Sequence, residues 1–162
     1  MRAWRIFNHL HARAAGKELD PLGGHESSYA AGRWHHRGTR VVYASSSTGL
    51  ALLEVLVHLK VDSPNEQTLA AFDIPDDVIE RVAPETVEAL VRESPRDDPQ
   101  RGTRDFGAAW VREGRSLALL TPSVIVPHDC NVVINASHPR VDEVRLVSCE
   151  VVMLDERLRR GR

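Results

Sequence analysis

A carboxylate stands in the middle of the apolar run Gly49–Leu59, GLALLEVLVHL, and of all the residues in this sequence it most needs a chemical reason. Burying Glu54 there would be costly unless the charge were paired or used. His58 follows at i+4 on the same helical face and could be its partner. As metal ligands, E-x-x-x-H supplies two groups and no complete site. The structural alternative is a carboxylate on an exposed helix edge or in an ion pair.

A second cluster is Gly32-Arg33-Trp34-His35-His36-Arg37-Gly38, in which glycines bracket two guanidinium groups, an indole and two imidazoles. Arginine presents a planar fork to phosphate oxygens, and an aromatic ring can stack on a base, a combination suited to a nucleotide carrying a pyrophosphate. The alternative is a solvated basic turn with Trp34 packed into the core. Thr121-Pro122-Ser123-Val124 places a hydroxyl after a proline-fixed turn, where Ser123 could touch a ligand or cap the turn. No G-x-S-x-G surrounds it, which argues against a serine-hydrolase nucleophile. Asn131 and Asn135 flank Val132-Val133-Ile134 and read as the polar ends of a strand.

The elements that must position these groups can be read from pattern. Residues 1–10 read as a short strand, and the Gly-, His- and Arg-rich stretch 15–40 as loop. Val41-Val42-Tyr43-Ala44 is β-branched and aromatic as strands prefer, and Ser45-Ser46-Ser47-Thr48 can cap a following helix over about 48–60. That helix is apolar on nearly every face, which predicts a core helix buried among other elements. Further on, Leu69–Ile74 reads as a strand and Thr86–Arg92 as a short helix capped by Thr86. Residues 94–103 read as a polar loop, and Thr103–Glu113 as a helix stopped by Gly114. Ser116–Leu120, Val124–Val126, Asn131–Asn135 and Leu146–Leu154 read as strands. Without regular βαβ alternation, the pattern predicts an α+β fold, a single compact domain over 1–162 around a largely antiparallel sheet.

Composition narrows the function classes. The 162 residues are 42% hydrophobic, enough for one domain that buries roughly two thirds of its unfolded surface. With 21 basic and 23 acidic side chains there is no overall basic field to attract nucleic acid or an anionic membrane. Two cysteines, Cys130 and Cys149, make neither a metal spacing nor a disulfide framework, which fits a reducing cytosol. No stretch approaches the 18 or so apolar residues of a membrane span, and the N-terminus lacks a signal-peptide core. A cytoplasmic location is expected.

Taken together, these segments resemble a known family. The segment G-R-W-x-x-x-G-T-x-V-V-Y-A-S-S-S-x-x-L-A-L-L-E-V-L-V-H-L, from Gly32 to Leu59, is similar to the central signature of RES-domain proteins. Trp4-Arg5-Ile6, Thr121-Pro122-Ser123 and the run from Asn131 through Asn135 to His138-Pro139 fall in that family's order as well. Two departures are Ala31, where a second glycine is common, and Ala136-Ser137, where the family often has Asn-Pro before His-Pro. The resemblance implies a fold like that of ADP-ribosyltransferase toxins. It also implies a toxin of a bacterial toxin–antitoxin pair that cleaves the nicotinamide–ribose bond of NAD⁺ by hydrolysis or phosphorolysis, depleting the cell of NAD⁺.

On that resemblance, the catalytic residues are Glu54, Arg33 and Ser123, and Arg5, Tyr43 and Ser45 bind substrate. Glu54 would stabilise the oxocarbenium character that develops on the ribose and anchor a ribose hydroxyl. Arg33 and Arg5 would hold the pyrophosphate or adjoining ribose, and either can be the principal ligand. Tyr43 would stack on nicotinamide, and Ser123 would bond the ligand or orient Glu54. NAD⁺ is then substrate, with no separate cofactor and no metal. The implied partner is an Xre-type helix-turn-helix antitoxin that carries the DNA binding this chain lacks, and a homodimer is left open. Rival readings are an ADP-ribosyltransferase acting on a protein, a ribonuclease using His35, His36 or His58, and a non-catalytic binding module.

Overall fold

The structure, a computed structural model, describes residues 1–8, 20–24, 27, 29–59 and 63–159. Its frame is a seven-stranded sheet built from β1 (Arg2–Phe7), β2 (Val41–Ser45), β3 (Glu66–Asp73), β4 (Ile79–Arg81), β5 (Ala118–Pro122), β6 (Cys130–Asn135) and β7 (Arg145–Met153). The strand order is β4-β5-β6-β2-β1-β3-β7. Only the short β4–β5 pair is parallel, so the α+β, largely antiparallel architecture expected from the sequence is the one observed.

The alternation of β2 explains why both faces of the sheet are covered. Val42 and Ala44 enter one core with Ala3, Ala70, Phe72, Val132 and Ile134. Val41 joins the other, around Trp34, Trp110, Leu119 and Val133, with Tyr43 packed against it. β1 and β2 share a single register pair, Trp4↔Ser45, so the two halves of the sheet meet there and diverge on either side.

Three helices complete the described chain: α1 (Thr48–His58), α2 (Pro84–Arg92) and α3 (Arg101–Glu113). β2 feeds α1 directly, and Ser47 is its N-cap, its hydroxyl accepting the Leu50 N–H at 3.1 Å. α3 stops at Gly114, whose φ of 59° is the left-handed conformation that glycine adopts without penalty.

Three local expectations are corrected and one strand is added. α1 is not a fully buried core helix: Leu50, Ala51 and Leu56 are buried, but Leu53 and Val57 are 40% and 53% exposed. It lies across the sheet against β1 and β2 and is covered on one side only. α2 starts at Pro84, a favoured first helical residue, without a Thr86 cap. Val124–Val126 is a turn rather than a strand, because the Ser123 hydroxyl accepts the N–H groups of both Ile125 and Val126 and curls the chain back. Finally, Ile79–Arg81 forms a strand of three residues, too short to show a period in the sequence.

Candidate active site

Where β1 and β2 diverge, a cleft of about 900 Å³ opens between the N-terminal end of the sheet, the loop before β2 and helix α1. Arg5, Arg33, Tyr43, Ser45 and Glu54 all line it. Five of the six residues expected to act together are therefore gathered in one concave site of the size that usually holds a nucleotide-scale ligand.

Strand register builds its floor. Thr121 of β5 lies opposite Asn131 of β6, Asn131 opposite Ser45 of β2, and Ser45 opposite Trp4 of β1. Opposed residues in antiparallel strands share a face, so these four form a row across the sheet. Helix α1 crosses this row with Glu54 pointing down to it. The Asn131 side-chain amide donates to Glu54 Oε1 at 2.6 Å, and Ser45 Oγ donates to Asn131 Oδ1 at 3.2 Å. The partner of Glu54 is therefore Asn131, and His58 is an exposed residue at the cleft edge. Among the described residues, no three His, Cys, Asp or Glu side chains gather as metal ligands.

The loop before β2 is fixed from outside. Trp34 is buried, edge-on to Phe106 at 6.1 Å between ring centroids, and the backbone of Trp34 lies against Gly107 of α3. Tyr43 Oη accepts the Trp34 N–H at 3.0 Å and lies 2.9 Å from His35 Nδ1. His35 Nε2 faces two carbonyl oxygens, of Ser27 and Ala30, so it must carry the proton and Nδ1 must accept one from Tyr43. Burial pushes the His35 pKa below its usual 6.5 and keeps the imidazole neutral. Burial likewise raises the Tyr43 phenol to about 12, so it remains a donor.

With Trp34 and His35 turned inward, Arg33 is left on the cleft wall. Its Nε is fully buried and has no hydrogen-bond partner among the described residues. A buried guanidinium donor without an acceptor is rare and calls for one from a ligand. Arg5, on the opposite side, donates to the Pro21 carbonyl at 2.7 Å and stacks over Phe7. His36 pairs with Asp105 on α3 at 2.6 Å. Both histidines of this cluster thus have structural partners.

Ser123 is the one expected site residue that does not itself line the cleft. Its hydroxyl caps the β5–β6 turn, and it is not among the cleft-lining residues, although its neighbours Pro122, Val124 and Ile125 are. Conversely, Asn131, a strand-end residue by its sequence pattern, contacts Glu54. The signal that could have found it is register, since an Asn opposite a Ser across two strands is a paired polar couple.

Comparison with known proteins shows the family and the fold. The family model described as the RES domain matches residues 2–156. A curated relative from Sphingobium sp. (strain YBL2), a Prs ADP-ribosylating toxin, is 33% identical over 96% of this chain and 94% of its own. A Toxin Res from Pseudomonas putida is 32% identical over 90% of this chain and 92% of its own, and a Toxin Res from Yersinia enterocolitica is 34% identical over 71% and 74%. Among solved structures, the M. tuberculosis MbcT–MbcA toxin–antitoxin complex contains a chain that superposes with a TM-score of 0.70, covering 94% of this chain and 84% of that one at 17% identity. That likeness establishes the fold.

Proposed function

The chain belongs to the RES domain family, whose curated relatives are toxins, and from that membership and the cleft we propose that it binds NAD⁺ and breaks the nicotinamide–ribose bond. One observation carries the reading: a helix-borne carboxylate held in place by an amide shares one nucleotide-sized cleft with an arginine whose buried Nε has no acceptor among the described residues. Breaking the C1′–N bond releases the cationic pyridinium ring as neutral nicotinamide and leaves the ribose with oxocarbenium character. A fixed carboxylate stabilises that charge more than it stabilises the ground state. Glu54 takes this role. Arg33, with Arg5 across the cleft, holds the pyrophosphate, and the Tyr43 ring forms the wall against which nicotinamide packs. Ser123 is left to cap its turn.

Attack by water on C1′ gives ADP-ribose and a proton, and attack by inorganic phosphate gives the corresponding ADP-ribose phosphate ester. A second reading, transfer of ADP-ribose to a protein nucleophile, is favoured by the name of the Sphingobium relative. Incubating pure protein with NAD⁺, with and without phosphate, and identifying the products by chromatography and mass separates these routes. Absence of nicotinamide in every condition would overturn the proposal. We place the activity in the cytoplasm, where NAD⁺ is, and pair it with an antitoxin of the Xre type. The exposed Val57 and Val124 at the cleft rim give such a partner apolar surface with which to cover the opening.

A further inference from the structure

We infer that Asn131 is a positioning residue for the reaction, acting through Glu54, with Ser45 steadying its amide. The inference rests on the NAD⁺-cleaving reading above and adds a residue to its machinery. An asparagine amide can present either its oxygen or its nitrogen, and the wrong end facing Glu54 would set two acceptors against each other. The carboxylate only accepts and so takes the amide nitrogen, while Ser45 Oγ holds the other end by donating to Asn131 Oδ1 at 3.2 Å. The nitrogen meets Glu54 Oε1 at 2.6 Å. This is a short bond to an ionised acceptor, the stronger class of hydrogen bond.

The geometry of the supports points the same way. Asn131 sits in a strand paired on both sides, opposite Thr121 and opposite Ser45, so its backbone has little freedom. Glu54, by contrast, is a long side chain on a helix with an exposed outer face. Without its anchor the carboxylate would sample several rotamers, each placing the charge elsewhere in the cleft. Asn131 occupies Oε1 alone, and Oε2 has no hydrogen bond among the described residues. That second oxygen is the one available to a ribose hydroxyl and to the developing cation. The amide thus fixes the carboxylate from behind. A static, pre-oriented carboxylate needs no reorganisation as charge develops, which is where such groups contribute most to rate.

A double-mutant cycle tests this. Nicotinamide release from NAD⁺ is measured for wild type, Glu54→Gln, Asn131→Ala and the double variant, with thermal melting alongside. Asn131→Ala should lower kcat by roughly 10- to 100-fold, as expected for one hydrogen bond to a charged group, and change KM by less than about 3-fold. In the Glu54→Gln background the same change should cost less than about 3-fold, because the charge it positions is gone. Asn131→Asp, similar in size but an acceptor where a donor is needed, should not rescue. Ser45→Ala, a small deletion, should give a loss of a few-fold with the same non-additivity; it and Asn131→Asp carry the test if Asn131→Ala does not fold. Equal losses in both backgrounds, a loss confined to KM, or full activity in Asn131→Asp would overturn the positioning role while leaving NAD⁺ cleavage intact. A wild-type protein that releases no nicotinamide would overturn that reading and this inference together.

Discussion

Glu54 and Arg33 reach one cleft from supports of different kinds. Glu54 stands on α1, capped by Ser47, and is bonded to the centre of a paired strand, so regular secondary structure and register place it. Arg33 sits in a turn whose shape depends on Trp34 in the core, on Gly107 of α3 beneath it and on the Tyr43 hydroxyl behind it. The first wall is built by periodic structure and one anchor, the second by a few particular contacts. The second wall should therefore fail more readily, and to substitutions that never touch a ligand.

Gly107→Ala is the most damaging of these. A Cβ there would come within 1.9 Å of the Trp34 carbonyl oxygen, so backbone must move. We expect a loss of about 3 kcal/mol or more, outweighing the ~1 kcal/mol by which alanine favours a helix, together with loss of NAD⁺ binding as the Arg33 turn shifts. Denaturant unfolding and calorimetric titration check both. Arg33→Ala should instead fold normally and weaken NAD⁺ binding by roughly 10- to 100-fold, since a phosphate contact exists already in the ground state. An unchanged affinity would remove Arg33 from the binding site.

Tyr43→Phe keeps the ring but deletes the hydroxyl shared by the Trp34 N–H and His35. Stranding these two groups should cost about 1–3 kcal/mol, measured as a lower melting temperature. The smallest effect is pH dependence. Burial lowers the folded-state pKa of His35 below 6.5, so the unfolded chain binds a proton that the folded one refuses. Stability contributed by neutral His35 is therefore complete above about pH 6.5 and is lost as pH falls from there through the lower folded value. His35→Gln should flatten the melting temperature in that acidic range.

The difference between the two walls also accounts for what could be read from the sequence. Glu54 stood out because an ionised group interrupts an apolar helix, and β2 leading into α1 was visible in a β-branched run followed by serines. The loop's arginines and a Trp34 packed into the core were both visible as readings, but not that His35 also turns inward and that Arg33 is left in the cleft, because that depends on the whole turn and on α3, about seventy residues further on. Asn131 was invisible as a site residue for a similar reason: its role comes from register with β2 and from α1 crossing over it. The exposure of Leu53 and Val57 was missed because composition cannot tell a helix surrounded by protein from one covered on a single side. Ser123 shows the reverse case, a residue in the family's order whose hydroxyl is taken up by its own turn.

The account depends most on a charged Glu54 at the reaction centre, and one variant tests that. Glu54→Gln keeps the shape of the side chain and removes the charge, so it should melt within a few degrees of wild type while nicotinamide release from NAD⁺ falls by about 10²–10³-fold, some 3–4 kcal/mol of transition-state stabilisation. Rate and melting temperature are measured on the same preparations. A Glu54→Gln protein that melts like wild type and releases nicotinamide at the wild-type rate would contradict the mechanism.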